Sequence, residues 1–193
     1  MKKVYDVIVI GAGHAGIEAA LAAARMGKST LLTTLEKSGV ALMPCNPAIG
    51  GTAKGHLVRE VDALGGQMGL SADEALLQIK MLNRGKGPAV FSLRGQADKA
   101  LYHDVMLRVL ENQENLDVLY DETTEILVKD GVAHGITTLE NGEIEGKAVV
   151  IATGVYLNGR TIIGAETKSS GPAGFKNCLL YTSDAADDRI SVD

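Results

Sequence analysis

An α/β fold built on a parallel sheet is what this sequence predicts, and three observations predict it. Residues 4–10 (VYDVIVI) are a short β-branched apolar run of the kind buried in parallel sheets. A glycine-rich turn, Gly11–Gly16, follows directly and opens a segment whose apolar residues recur at helical spacing. After residue 124 the period changes to short strands separated by Asp130-Gly131 and Asn141-Gly142, both strong hairpin signals.

Taken in order, a first strand at 4–10 feeds the glycine turn and a helix from His14 to Met26. Ile17, Ala20, Leu21 and Ala24 line one face of that helix, and Gly27 stops it. Ser29–Thr34 is a second strand, so the first 35 residues read as one βαβ unit with a right-handed crossover. Residues 38–52 read as loop. Thr52 is placed to cap a helix over 53–64 with Leu57, Val61 and Leu64 on one face, ended by Gly65-Gly66. Ser71-Ala72-Asp73-Glu74 has capping-box form and predicts a helix through Leu82, followed by a turn-rich loop at 83–88. A long helix is expected over 96–113, with Leu101, Tyr102, Val105, Met106, Val109 and Leu110 as its apolar stripe. A short strand at 118–120 precedes a three-stranded meander at 125–129, 132–139 and 143–145. Residues 148–154 (AVVIATG) read as a last buried strand ending on glycine.

Composition bounds the rest. The chain has 193 residues, enough for one domain or one domain and part of another. Its hydrophobic fraction of 46% is ordinary for a globular protein. No run of about 18 apolar residues occurs, so no membrane span is expected. The lysines and apolar residues at the start resemble a signal peptide, but Asp6 interrupts them and a first strand fits better. Two cysteines, at 45 and 178, make no disulfide framework and fit a reducing, cytoplasmic setting. No metal site is expected. The net charge of −5 gives no support to nucleic-acid binding, although it is compatible with a local basic patch. The last residues, CLLYTSDAADDRISVD, show no helical or strand period. The expected division is therefore a partial cofactor-binding domain at 1–176 and a non-native tail at 177–193, the alternative being a natural polar terminus.

Gly11-Ala12-Gly13-His14-Ala15-Gly16 matches G-x-G-x-x-G between a strand and a helix, the context that gives the motif meaning. In a Rossmann-like dinucleotide site Gly11 permits the tight turn, Gly13 lets the backbone approach a pyrophosphate and Gly16 lets helix and strand pack closely. The helix N-terminus offers free N–H groups to the phosphates. His14 is expected to contribute shape and a helix-start contact rather than acid–base chemistry. Glu36, 20 residues after Gly16, stands where a carboxylate would bind a ribose hydroxyl; a solvated loop glutamate is the other reading.

Residues 44–52 (PCNPAIGGT) form a second distinctive stretch. Cys45 lies between Pro44 and Pro47, whose φ angles are fixed, ahead of two glycines and a helix start. On chemistry alone it is either a thiol activated by its surroundings or a structural one. Lys54, His56 and Arg59, with Arg84, Lys86 and Arg94 beyond, are either contacts for RNA phosphates or a solvated charged surface.

A βαβ start, a meander and a strand ending in Ala152-Thr153-Gly154 together resemble the FAD-binding domain of two-dinucleotide-binding flavoproteins. Three motifs in series narrow this. GAGHAGIEAALAAARMG, CNPAIGGTAKGHLVREVDALGG and LNRGKGPAVFSLRGQADKALY resemble the N-terminal part of the MnmG/GidA family over about residues 4–175. That family comprises the FAD-dependent tRNA uridine 5-carboxymethylaminomethyl modification enzymes. The resemblance implies FAD at Gly11–Gly16, with the backbone at Thr123 approaching its adenosine end, and a cysteine at the position of Cys45 proposed to act near the flavin as a nucleophile toward uracil. It also implies tRNA as substrate, NADH and methylenetetrahydrofolate as co-substrates, the GTPase MnmE as partner in a hetero-oligomer, and a homodimer at full length. Phe91 and Leu93 depart from the basic or small residues that the family pattern leads one to expect there. The chain is far shorter than the family's proteins, so alone it is expected to bind FAD poorly and not to turn over. The other readings are a different FAD-dependent oxidoreductase and a non-catalytic dinucleotide-binding module.

Overall fold

The computed structural model describes residues 3–171 and 174–182. The chain divides into two units. Met1–Gly39 and Gln113–Asp193 form the first, and Val40–Asn112 the second.

The first unit opens with the expected βαβ. Strand β1 (Val7–Ile10) leads through the glycine turn to helix α1 (His14–Arg25) and then to β2 (Thr30–Thr34). Both strands are nearly continuous apolar or β-branched runs because they are covered on two faces. Helix α1 buries Gly16, Ile17, Ala20, Leu21 and Ala24, a stripe in which three of the five residues are glycine or alanine and let the helix come close to the sheet. Gly27, at φ +77°, turns the chain out of the helix as expected. With β6 (Leu116–Tyr120) and β10 (Val149–Ile151) these strands make an all-parallel sheet in the order β10-β1-β2-β6.

The second layer of this unit is the meander β7 (Thr123–Lys129), β8 (Val132–Thr138) and β9 (Gly142–Glu145), antiparallel throughout. Asp130 and Gly131 both have positive φ, as a tight hairpin turn requires. Ile8, Ile10 and Leu31 of the parallel sheet pack with Ile126 and Ile136 of the meander into one buried cluster. A hairpin of two exposed strands, β11 (Arg160–Ile163) and β12 (Glu166–Ser169), follows β10. Tyr181–Thr182 (β13) pairs in parallel with β7. Most of the expected foreign tail, residues 183–193, lies outside the described residues.

In the second unit a three-stranded antiparallel sheet has the order β3-β5-β4: β3 (Ala48–Gly50), β4 (Leu76–Leu82) and β5 (Ser92–Ala97). Helices α2 (Lys54–Ala63), α3 (Met68–Glu74) and α4 (Lys99–Glu111) complete it. Helix α4 is capped by Asp98, whose carboxylate accepts from the N–H groups of Ala100 at 2.9 Å and Leu101 at 3.0 Å.

Several expectations are corrected here. The helix expected through Leu82 ends at Glu74, and residues 76–82 are strand β4. The stretch LLQIKML has helix-forming residues, but its pairing with β5, ten residues further on, overrides local propensity. Gln96 and Ala97 belong to that same β5, so the long helix starts at Lys99 and not at 96. Its buried stripe includes Leu107 and leaves Leu101 exposed. The expected loop at 38–52 contains β3. Thr52 does not cap α2: the N-cap is Ala53, at φ +63°, and the Thr52 hydroxyl instead accepts from Asn83 Nδ2 at 2.8 Å. Leu57 and Leu64 share a helix face as expected, yet both are exposed. Strand β10 is shorter than expected and is not buried. It is the edge of its sheet, with Ile151 49% exposed.

Candidate functional site

The glycine turn sits at the carboxyl end of the parallel sheet, where open α/β sheets bind their ligands. Gly11 leaves β1 at φ +104°, in the left-handed region that favours glycine. Its N–H donates to the carbonyl of Thr33 at 2.8 Å, which ties the turn to β2. A Cβ on Gly11 would stand 2.5 Å from the carbonyl oxygen of Ala152, just past β10. A Cβ on Gly16 would stand 1.8 Å from the Gly11 carbonyl oxygen. The first and third glycines are therefore demanded by the protein's own packing.

Gly13 differs. It is the exposed N-cap of α1, with an extended backbone (φ −72°, ψ 176°) that any residue adopts, and a Cβ there would meet nothing within 4 Å. Its carbonyl accepts the first helical bond, from the N–H of Ile17 at 2.9 Å. No side chain caps the helix. The open space over Gly13 is thus a cradle that a side chain would fill, beside N–H groups at the positive end of a 12-residue helix. An oxygen-rich, doubly charged pyrophosphate suits that set of donors.

The other cofactor-site residues expected from the sequence lie in the first unit. Ala12 is buried and Ala15 is exposed at the helix start. His14 opens α1 with its ring largely shielded; burial pushes its pKa below the ordinary value, against a smaller opposing pull from Glu18, and holds it neutral near pH 7. Glu36 is exposed just beyond β2. Thr123 is buried at the first position of β7, its hydroxyl 3.0 Å from that of Thr33. Thr33 was not singled out from the sequence. Its signal is modest, a polar β-branched residue near the end of an apolar strand, yet it holds the turn by its carbonyl and β7 by its hydroxyl.

Asp121 is a second residue that sequence reasoning missed. It precedes β7 in the β6–β7 connection and is buried. Burial alone would raise its pKa. Hydrogen bonds from the Asn141 side chain, the Thr138 hydroxyl and the N–H groups of Asn141 and Glu140 outweigh it and hold the carboxyl below the usual range. Asp121 thereby anchors the β8–β9 turn next to the segment that carries Thr123.

Cys45 belongs to the second unit, in the segment leading to β3. Its thiol is exposed. The backbone around it is fixed by a bond from the N–H of Ala97 to the Pro47 carbonyl at 2.8 Å. Cys178 is buried in the first unit, and burial, aided by Glu122, pushes its thiol up. Among the described residues no group of three or more His, Cys, Asp or Glu side chains is arranged to hold a metal ion.

A parallel sheet with a glycine cradle at its carboxyl end and a covering meander defines an α/β protein of the Rossmann-like, FAD-binding type. Residues 6–185 match the model of the glucose inhibited division protein A family, and the chain belongs to that family. It is 59% identical over 171 residues to a relative from Heliobacterium modesticaldum and 55% identical over 178 residues to one from Alkaliphilus oremlandii. Both are named tRNA uridine 5-carboxymethylaminomethyl modification enzyme MnmG. These matches cover 89% and 92% of this chain but 27% and 28% of the relatives, so the chain spans little more than a quarter of their length. A crystal structure of Aquifex aeolicus GidA superposes with a TM-score of 0.88 at 49% identity, covering 94% of this chain and 30% of that one. The Pseudomonas aeruginosa protein PqsL, described as a probable FAD-dependent monooxygenase, shares the fold at 14% identity and a TM-score of 0.58, over 79% of this chain and 43% of that one.

Proposed function

We propose that this chain is the FAD-binding part of an enzyme that adds a carboxymethylaminomethyl group to carbon 5 of the wobble uridine in tRNA. The observation that carries the proposal is the 55–59% identity to relatives of that name across a stretch that includes the glycine cradle. Gly11 and Gly16 bring α1 and β1 close enough to leave the cradle over Gly13, and the N–H groups at His14 and Ala15 receive the pyrophosphate. Glu36 accepts from a ribose hydroxyl, and the backbone at Thr123 lies toward the adenosine. Bound FAD supplies the redox chemistry by which a one-carbon unit is joined to the base. In this reading methylenetetrahydrofolate provides the carbon, NADH reduces the flavin, and the GTPase MnmE works with the full-length homodimer in the cytoplasm. The exposed Cys45 thiol is the candidate nucleophile toward uracil.

The test replaces the matching segment of the Heliobacterium relative with residues 1–176 of this chain, in cells lacking their own enzyme. The expected result is stoichiometric flavin in the purified chimera and carboxymethylaminomethyl-uridine in tRNA by mass spectrometry. A flavin-loaded chimera that leaves tRNA unmodified favours a different FAD-dependent oxidoreductase. A folded chimera without flavin overturns the cofactor assignment. Residues 1–176 are proposed as the cofactor-binding domain and 177–193 as a non-native tail, so adding the tail should lower the yield of folded chimera.

A further inference from the structure

The second unit carries a charge pattern that the flavin site does not use. In a chain of net charge −5, residues 40–59 and 75–97 contain no Asp or Glu. These are the segments that build the β3-β5-β4 sheet and its flanking loops. They carry Lys54, Arg59, Lys80, Arg84, Lys86 and Arg94, all exposed.

The sheet concentrates this charge. Lys80 of β4 lies directly opposite Arg94 of β5, and Arg94 lies opposite Gly50 of β3. Like charges in directly opposed positions oppose folding, so folding alone does not select them. No ion pair among the described residues involves either side chain. Gly50 contributes no side chain that could cover Arg94. The next pair on the same face is Gln78 opposite Gln96, uncharged hydrogen-bonding groups. Asn83, at the end of β4, donates to Thr52 at 2.8 Å and to the Val90 carbonyl at 3.1 Å. That ties the loop bearing Arg84 and Lys86 to the segment leading into Lys54. Phe91 stands at the start of β5, 37% exposed beside this cationic run.

Cations without carboxylates, amides able to reach sugar and phosphate, and an exposed aromatic ring together match single-stranded or loop RNA, whose unstacked bases lie on aromatic faces while cations track the backbone. We propose that the β3-β5-β4 face of the second unit binds the phosphate backbone of the RNA substrate, with Lys80 and Arg94 as its centre and Phe91 as a stacking surface for a base. The inference rests on the RNA-modifying reading above and gives that reading a location on this chain. Lys80, absent from the cationic residues that the sequence alone singles out, is the member that the strand register adds.

The test is tRNA binding by the full 193-residue chain, followed by fluorescence anisotropy across a salt series. Lys80→Ala/Arg94→Ala should weaken binding about tenfold at 0.1 M salt and flatten the slope of log K against log salt by about 1.4 to 1.8, the release of counterions from two phosphates. Phe91→Ala should weaken binding about tenfold with the slope unchanged. Lys129→Ala/Lys168→Ala, in the first unit, should stay within about twofold. Circular dichroism melting of each variant confirms that the fold is kept. Failure of the unsubstituted chain to bind tRNA, an unchanged slope in the Lys80/Arg94 variant, an equal loss in the first-unit control, or stronger binding to phosphatidylserine vesicles than to tRNA would each overturn the proposal. None of these results depends on whether the chimera modifies uridine, so the two readings fail separately.

Discussion

The two units each contain a strand that leaves through a glycine of positive φ into a helix, with a second glycine five residues on. In the first unit these are Gly11, at φ +104°, and Gly16; in the second they are Gly50, at φ +89°, and Gly55. In both, the later glycine is pressed against backbone. A Cβ on Gly16 would meet the Gly11 carbonyl oxygen at 1.8 Å, and one on Gly55 would meet that of Leu93 at 2.8 Å. The helices that follow differ. Helix α1 buries five residues, whereas α2 buries only Gly55 and leaves Leu57 and its C-cap Leu64 to solvent. The same local turn is thus locked into a core in one unit and left at a surface in the other. The first turn reads G-x-G-x-x-G and the second, GGTAKG, shares only its first and last glycines; the burial of the next helix decides which turn becomes a rigid cradle.

This comparison is broken most sharply at Gly16. Gly16→Ala should cost about 3 kcal/mol or more in urea unfolding, because the added carbon must displace the Gly11 carbonyl or the whole helix. An effect below about 1 kcal/mol would show that α1 is not held against β1 as described. Gly50→Ala comes next, at about 2 kcal/mol, since its Cβ would meet the Leu93 carbonyl oxygen at 2.3 Å in a conformation that alanine disfavours. Hydrogen exchange should then rise in β3, β4 and β5 while β1 and β2 keep their protection.

Asp121→Asn should cost about 1 kcal/mol at neutral pH. Its larger signature is pH dependence. The folded carboxyl titrates below its unfolded value, so its contribution is complete above about pH 4 and is lost as pH falls through the folded pKa. The variant should therefore show a shallower loss of stability on acidification. Smallest of all is Gly13→Ala, with an expected stability change within about 0.5 kcal/mol because the site is open and φ is negative. FAD titration of the chimera should nevertheless weaken by at least tenfold, and unchanged affinity would remove Gly13 from the cradle.

The first unit was largely legible in the sequence. Its βαβ start and meander follow from contiguous patterns: a β-branched run, alanines at helical spacing, and Asp-Gly and Asn-Gly turns. The second unit was not. Strand β4 looks helical because its residues are helix formers and its stabilising partner, β5, lies across a turn-rich loop and itself looks like the start of a helix. The exposure of β10 was equally hidden, because an apolar strand reads the same whether or not a neighbour covers it. At the candidate site the glycines and Glu36 were visible as a motif. Thr33 and Asp121 were not, since each acts through a bond to a segment about 20 to 90 residues away.

The hydroxyl pair of Thr33 and Thr123 has a consequence for how these positions can change. Thr33→Val leaves the buried Thr123 hydroxyl short of its partner, a cost of about 1–3 kcal/mol, and Thr123→Val leaves the Thr33 hydroxyl with only its long 3.5 Å bond to the Val9 carbonyl. Replacing both removes the demand along with the supply and should be close to neutral. The two positions, 90 residues apart in the chain, therefore behave as one heritable character. The end of β2 and the start of β7 are free to drift together and resist drifting alone.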